Sequence, residues 1–454
     1  MLFPNAFTET IKEEYRVFRK GADHSIYAHN EVLYLKGNPG SGMTAGALDY
    51  CRLYPSTLYF SFANLDAALA PRVFAGRYPD VFRACTTWED FFDQLYDYGI
   101  KTRCTIFFDD AATRKDKDVF IEQLQRILDV NRGHSFFVVF LLKPCENLPL
   151  RAKEKALPPL SPAEIRRILR LKDEDTFRLY TLTDGNPSLL EQYNRELSFE
   201  DNVHAWLRCD SCYRRLAQEW MGCCFRAPES YNTLMYGMAT GMNRVSELAG
   251  LSGFPMNKVD KYLKALEAHG LAAREVGEDG RTRYVPANNY LLLWYRFLLT
   301  CGMTRDGGIP EETFSAFMDY LDNVLVPVTF RQAALQWLDA HQHHYLDKPV
   351  DIRKPYIKDA IHHGIRFDYV YKTDTRMSRY IVLKLFDRLE DRCDRRDWHA
   401  IDRAVSDAFP YSDTTLILAS IHRFTDWLWQ VTSERDNVKL VQIQTLGRVE
   451  VAIT

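Results

Sequence analysis

The sequence predicts an α/β protein whose first part is a parallel sheet covered by helices on both faces. Three observations predict it. Apolar strands alternate with helical stretches through residues 1–150, a glycine-rich segment separates the first strand from its helix, and a second α/β pattern returns over residues 304–454 after a helical middle.

Residues 31–36 (EVLYLK) form a short apolar run ending in Gly37-Asn38-Pro39-Gly40-Ser41-Gly42, and an alanine-rich helical stretch begins at Thr44. The order is strand, glycine loop, helix. Strand-like STLYFSF (56–62), helical WEDFFDQLYDYG (88–99), the strand CTIFFDD (104–110), a helix around 119–128 and the wholly apolar SFFVVFLL (135–142) follow. Strands apolar throughout belong to a sheet buried on both faces.

Residues 151–226 read as a small helical lid. SPAEIRRILR opens with Ser161 at the N-cap, Pro162 in the first turn and Glu164 three residues beyond the cap. Helices are expected to continue over 175–193 and 199–224. Residues 227–303 read as three helices and two strand-like runs around an acidic, glycine-containing turn, the layout of a winged helix-turn-helix. The polar linker TRDGGIPEE (304–312) then opens the last segment, with strands near 366–371, 380–386, 414–420 and 438–444.

A chain of 454 residues exceeds what one hydrophobic core serves. With 46% hydrophobic and 26% charged residues it has the balance of an ordinary globular protein, so the whole chain is expected to fold. No run approaches roughly 18 consecutive apolar residues, and the N-terminus lacks a secretory layout, so a cytoplasmic location is expected. Ten cysteines without regular spacing imply reduced thiols. A net charge of −3 exerts no global pull on nucleic acid, so DNA binding would need a local basic face.

Gly37-Asn38-Pro39-Gly40-Ser41-Gly42-Met43-Thr44 matches G-x-x-x-x-G-K-[ST] except at lysine, where Met43 stands. Glycines let successive backbone N–H groups turn toward phosphate oxygens, and the helix adds its positive end. This is the nucleotide-loop pattern of P-loop proteins, and the octamer is the predicted site for ATP or ADP. The missing ammonium normally reaches the outer phosphates, so binding is expected to outlast hydrolysis. In CTIFFDD, Asp109 is placed to hold Mg²⁺ together with Thr44, and Asp110 to orient an attacking water. The plain alternative is a glycine-rich turn and a loop that begins with acids.

In the winged-helix segment, Val259, Tyr262, Leu263 and Leu266 fall on an inward face and leave Asn257, Lys258, Lys261 and Lys264 outward. Arg281 and Arg283 flank the wing turn. These six residues can meet DNA in a major groove and along its backbone, or form a face toward protein. Asp260 and Glu267 interrupt the basic stripe, so both partners stay open. Cys209, Cys212, Cys223 and Cys224 are expected as core thiols beside Trp206, Leu207, Tyr213, Leu216 and Trp220 rather than as zinc ligands. His341, His343, His344, His362 and His363 are expected at exposed loops or helix ends.

Taken with LPPLSPAEIRRIL (157–169), LTDGNPSLLEQYNRELSFEDNV (182–203), RVSELAGLSGFPMNKVDKYLKALEAHGLAARE (244–275) and NNYLLLWYRFLL (288–299), the glycine loop and acidic strand resemble a known family. It comprises prokaryotic AAA-type ATPases of the signal-transduction class that carry a winged helix and a C-terminal restriction-endonuclease-like domain. The resemblance spans nearly the whole chain and implies ATP, Mg²⁺, and oligomer or switch behaviour. The chain departs from it at Met43, at LLKPC (141–145), where the family has a polar, serine-containing strand end, and in the nuclease motif. Asp368 and Lys384 are present there, but Val382 stands for the second acid and Arg331 for the usual glutamate after Phe330. Two carboxylates are needed to hold Mg²⁺ tightly, so a degenerate nuclease is expected, with Asp368 and Lys384 left to pair with each other. The functional expectation is an ATP- or ADP-responsive switch or regulator with weak or absent hydrolysis. A nucleotide-independent relative that binds DNA or protein comes second, and a Mg²⁺-dependent nuclease last.

Overall fold

The computed structural model describes residues 5–24, 31–114, 116–130, 136–277, 280–344, 349–372, 379–409 and 414–442. By contact density the chain divides into two units, one of Met1–Pro158 with Asp260–Leu271 and one of Pro159–Val259 with Ala272–Thr454. Among the described residues, no helix is long and apolar enough to cross a membrane.

The first unit runs α1 (Asn5–His24), β1 (Glu31–Lys36), α2 (Met43–Leu53), β2 (Thr57–Ser61), α3 (Ala70–Arg77), α4 (Trp88–Lys101), β3 (Cys104–Asp109), α5 (Lys117–Asp129), β4 (Phe136–Leu142) and β5 (Lys153–Ala156). Its five strands lie in the order β2-β3-β4-β1-β5, every neighbouring pair parallel. β3 and β4 are buried at every residue, as strands covered on both faces must be. On one face Phe60, Phe108, Val138 and Phe140 pack against Phe74, Phe91, Leu95 and Phe120 from α3, α4 and α5. On the other, Leu35, Tyr59, Phe107 and Leu141 pack against Phe7, Ile11, Ala47 and Tyr50 from α1 and α2. β5 is an exposed edge whose Lys155 reaches Glu14 of α1 at 2.8 Å. Charged side chains on such a strand discourage pairing with another chain.

In the second unit, α6 (Pro162–Leu169) begins with the expected capping box. The Glu164 amide donates to Ser161 Oγ at 3.2 Å, and the Ser161 amide donates to Glu164 Oε2 at 2.8 Å. The continuous helices expected over 175–193 and 199–224 are each broken. α7 (Asp173–Thr183) stops where Asp184 and Gly185 turn left-handed, at φ 50° and 68°, and Pro187 starts the short α8 (Pro187–Leu190). α9 (Phe199–Trp206) is separated from α10 (Cys212–Cys224) by a turn in which Ser211 caps the second helix by accepting from the Arg214 amide. That cap puts Cys209 outside any helix. Cys209 and Cys223 are exposed and Cys212 and Cys224 half-buried, so the core-thiol expectation is corrected, although the aromatic residues around them are buried as expected.

Next in the chain come α11 (Glu229–Ala239), α12 (Val245–Ser252), α13 (Met256–Ala268), which from Asp260 onward belongs to the first unit, and the antiparallel pair β6 (Ala272–Val276) and β7 (Thr282–Pro286), followed by α14 (Asn289–Leu293). The three-helix-and-hairpin order is as expected; residues 278 and 279 of the acidic turn lie outside the described residues. The last part contains α15 (Glu311–Tyr320), α16 (Val326–His341), β8 (Ile357–His362), β9 (Ile365–Lys372), β10 (Tyr380–Phe386), α17 (Arg395–Ala408), β11 (Thr414–Ser420), α18 (Asp426–Ser433) and β12 (Val438–Gln442). Its mixed sheet has the order β12-β11-β10-β9-β8, with β8, β9 and β10 an antiparallel meander and β10, β11 and β12 parallel. The chain is thus mixed α/β, with a five-stranded parallel sheet and a separate C-terminal sheet. The expected last strand extends to residue 444, and its final two residues lie outside the described ones.

Candidate functional site

The carboxyl ends of β1, β3 and β4 lie side by side and position the site. Asp109 pairs in register with Leu141, and Lys36 with Leu142. Beyond β1, the Gly37 amide donates to the Leu142 carbonyl at 3.0 Å, tying the loop to β4, and the Ser41 amide donates to the Asn38 carbonyl at 3.0 Å. Gly40 and Gly42 have φ of 79° and 80°, a backbone region closed to most side chains, which explains why both are glycine. Gly42 is the N-cap of α2 and contributes no capping side chain, so the helix's first-turn amides from Met43 onward meet none from it. This is the strand, glycine loop and helix predicted for an anion nest, with Pro39 and Ser41 half-buried within it.

Met43 occupies the ground where a lysine was missed. Its thioether folds back over the loop, so that a Cβ on Gly37 would lie 2.9 Å from the sulfur and 2.6 Å from Ser41 Oγ. The side chain packs onto the apolar face shared by α1 and α2.

Thr44 and Asp109, 65 residues apart in sequence, are in direct contact. Thr44 Oγ1 donates to Asp109 Oδ2 at 2.6 Å, and the buried Tyr59 hydroxyl donates to the same oxygen at 2.8 Å. Asp109 itself is 6% exposed. Burial, then Asp109, pushes the Tyr59 phenol up, so it stays a donor. Asp110 turns left-handed at φ 57°. Its carboxyl is raised by burial and then by Asp109, with Glu146 adding to the rise and Lys143 opposing it. A carboxyl raised in this way is a better proton acceptor than an ordinary aspartate.

Sequence reasoning missed Tyr59 and Lys143. Tyr59 carried a readable signal: a tyrosine inside an apolar strand brings a hydroxyl that needs a partner once buried. Lys143 directly follows β4; its amide donates to Glu146 Oε2 at 2.9 Å and its ammonium lies 3.6 Å from Glu146 Oε1.

The other predicted residues lie on other elements of the chain. Asn257, Lys261 and Lys264 are exposed, Lys264 pairing with Asp260 at 2.8 Å. Lys258 corrects its expectation, being half-buried with its ammonium 3.7 Å from the Phe254 ring centre. Arg281 is exposed and Arg283 half-buried. Asp368 is buried, and its Oδ2 accepts from the Leu385 amide at 2.7 Å. Arg366 lies 3.8 Å from Asp368 and Lys384 makes no ion pair with it within 4 Å, yet the Lys384 charge draws the Asp368 carboxyl down more than Arg366 does, so the expected pairing is one of charge at longer range. Burial raises the Asp368 carboxyl. Val382 is fully buried, and Arg331 bonds Asp387 at 2.9 Å.

No family model matches the chain, and no curated protein does. Among solved structures it is similar to Cdc6p from Pyrobaculum aerophilum, at 12% identity over 70% of this chain and 94% of that one, with a TM-score of 0.32. It is also similar to a RuvB mutant from Thermotoga maritima, at 13% identity over 61% and 91% with a TM-score of 0.30. A third is the Drosophila ORC bound to AT-rich DNA and Cdc6, at 11% identity over 64% and 92% with a TM-score of 0.23. Identities and superpositions this low leave the functional argument to the geometry of the site.

Proposed function

We propose that the chain is a nucleotide-responsive regulator that binds ATP or ADP with Mg²⁺ in the loop from Gly37 to Thr44 and hydrolyses it weakly or not at all. The observation that carries this reading is the 2.6 Å contact between Thr44 and Asp109 beside a loop with two left-handed glycines. A hydroxyl and a carboxylate meeting at the mouth of an anion nest are what a Mg²⁺–phosphate pair requires, whereas a plain turn has no need of either. Met43 argues against efficient phosphoryl transfer, since no ammonium rises from the loop itself to meet developing charge. The proposed division is a nucleotide core over 1–150, a lid over 151–226, a winged helix over 227–303 and a degenerate endonuclease-like domain over 304–454.

The test is titration of the full chain with fluorescent ATP and Mg²⁺, in wild type and Asp109→Asn. Saturable, Mg²⁺-dependent binding that Asp109→Asn weakens about tenfold or more supports the reading, because it removes a charge beside the metal. Absence of binding at millimolar nucleotide sinks it.

One observation favours the second reading, a nucleotide-independent binding protein. The Met43 thioether lies over Gly37, so an apolar side chain packs against the loop where the motif has a cation. In that case the exposed Asn257, Lys261, Lys264 and Arg281 offer a face to DNA or protein, and millimolar ATP leaves the melting temperature unchanged. The helix, three-strand meander, helix and strand of the last segment support endonuclease-like ancestry. Asp368, bonded to a backbone amide and without the second carboxylate, gives nuclease activity no support.

A further inference from the structure

We propose that Met303 is a site of oxidation by peroxide, and that its sulfoxide oxygen is held by the buried guanidinium of Arg214. Neither residue belongs to the glycine loop or the acidic strand end, so the site is separate from the nucleotide reading. Arg214 lies in the first turn of α10, where its amide donates to Ser211 Oγ at 3.1 Å and its carbonyl accepts from Trp294 Nε1 at 3.1 Å. Both ends of its peptide unit are thus fixed, and the residue is 6% exposed.

Burying a guanidinium is costly unless it is paired and hydrogen-bonded. Two other enclosed arginines obey that rule. Arg114 forks onto Asp116 at 2.7 and 2.8 Å, and Arg178 meets Asp322 at 2.8 Å and Glu200 at 3.0 Å. Arg214 makes no ion pair with a carboxylate among the described residues. Its Nη2 donates to the Leu298 carbonyl at 2.9 Å, and its Nη1 to the Leu207 carbonyl at 3.4 Å and to Met303 Sδ at 2.8 Å. Leu207 caps the end of α9 and Leu298 ends the helical turn Trp294–Leu298, so both carbonyls carry only the partial negative charge of a helix end. The third acceptor is a thioether, which is weak. Burial draws the Arg214 guanidinium down, opposed by the thiols of Cys301 and Cys209. A separation of 2.8 Å is that of a charge-assisted bond to oxygen, yet sulfur stands there.

Met303 is 46% exposed and outside any helix or strand, so a peroxide in solution reaches its sulfur. The sulfur lone pair that Arg214 leaves unused attacks the outer peroxide oxygen; the S–O bond forms as the O–O bond breaks. Sulfur gives up an electron pair, and the departing hydroxide takes the proton of the transferred oxygen and leaves as water. Negative charge develops on that leaving oxygen beside a guanidinium with no carboxylate to neutralise it, which favours the step. The product replaces a weak acceptor by a strong one, and the exposed side chain has room to withdraw as the oxygen takes the place of the sulfur. The segment that follows is already tied to the turn before α10, by the Cys209 amide on the Gly307 carbonyl at 2.9 Å and by Arg208 Nη2 on the Asp306 carbonyl at 2.8 Å. The sulfoxide adds a tether from the same segment to α10 itself.

The experiment treats the full chain with hydrogen peroxide and follows sulfoxide formation by peptide mass spectrometry. Met303 is expected to oxidise at least about threefold faster than Met256, although Met256 is the more exposed at 59%. Native-state hydrogen exchange over Cys212–Cys224 reads the hold by Arg214. Protection there should rise about tenfold or more when wild type is oxidised, the effect of a hydrogen bond to a charged group. It should not rise in Met303→Leu treated alike, a variant that keeps every other sulfur. Met303→Gln, which offers a carbonyl oxygen on a side chain of similar length, should be better protected than Met303→Leu without any peroxide. Met303 that oxidises no faster than Met256 overturns the site. Protection that fails to rise in oxidised wild type, that rises equally in Met303→Leu, or that is the same in Met303→Gln and Met303→Leu overturns the role of Arg214.

Discussion

Replacing Tyr59 by phenylalanine removes one hydroxyl and leaves the ring in place between Phe107 and the helices of its face, which makes it a clean probe of the acidic strand end. Asp109, 6% exposed, receives both Thr44 and Tyr59 on a single oxygen, at 2.6 and 2.8 Å. A hydrogen bond to a charged group contributes about 1.5–3 kcal/mol, so Tyr59→Phe should destabilise the sheet by about that amount. At about 1.4 kcal/mol per factor of ten, protection of the β3 amides should fall roughly ten- to 150-fold. Thr44→Val should cost a similar amount, because valine keeps the shape and loses the donor. The double variant strands a buried carboxylate oxygen with neither donor, and should therefore be worse than the sum by about 0.5–3 kcal/mol. Native-state hydrogen exchange on peptides covering Cys104–Asp109 reads this locally, which suits a chain of two units that need not unfold together. A Tyr59→Phe effect below about threefold, or additivity within about 0.3 kcal/mol, would refute the shared-oxygen argument.

Two further outcomes concern the turn that follows α7. A Cβ at Gly185 would lie 2.1 Å from the Leu160 carbonyl oxygen at a φ of 68°, so Gly185→Ala should cost about 2–4 kcal/mol in a urea titration, and a loss under about 1 kcal/mol would contradict the close approach. Burial raises the Asp184 carboxyl to about 7 against the amides of Tyr290 and Asn289, so the folded state holds this proton more tightly than the unfolded chain does. The stabilisation is full below the ordinary aspartate range and is lost as pH rises from about 4 to about 7. Asp184→Asn should flatten melting temperature against pH across that window, and an unchanged profile would show that Asp184 does not titrate there.

Legibility followed the range of the interaction. The octamer, the capping box of α6 and the strands β3, β4, β10 and β11 were readable because backbone turns, caps and apolar runs are set by neighbours in sequence. β5 (KEKA) and β8 (IKDAIH) were not, because both are mostly exposed edge strands with no apolar run to mark them. The helix breaks at Asp184 and Ser211 depend on a left-handed turn and a cap that interrupt otherwise periodic sequence, and the misplacing of Cys209 followed from the second. Lys258 looked outward by periodicity alone, yet the Phe254 ring two residues before the helix draws its ammonium in. At the site, Thr44 and Asp109 were legible as motif members. Their contact, and the part of Tyr59 in it, needed the pairing of β2 with β3.

The energetics of the site bear on the proposed nucleotide reading. A buried carboxylate is expensive, and replacing it with a well-packed apolar side chain is often neutral or stabilising. The chain carries apolar residues where the resemblance implies charge at two places, Met43 in the loop and Val382 in β10, and both pack into cores. At Asp109 it keeps the charge, at 6% exposure, and brings two donors from two other elements to a single oxygen. That arrangement leaves Oδ1 clear of both donors, and a threonine hydroxyl that gives its proton to Asp109 still has lone pairs for a cation. On the proposed reading, Thr44 would ligate Mg²⁺ and hold Asp109 at once. Stability alone gives little reason to maintain such a group, which favours the proposed reading in which it serves a cation beside phosphate.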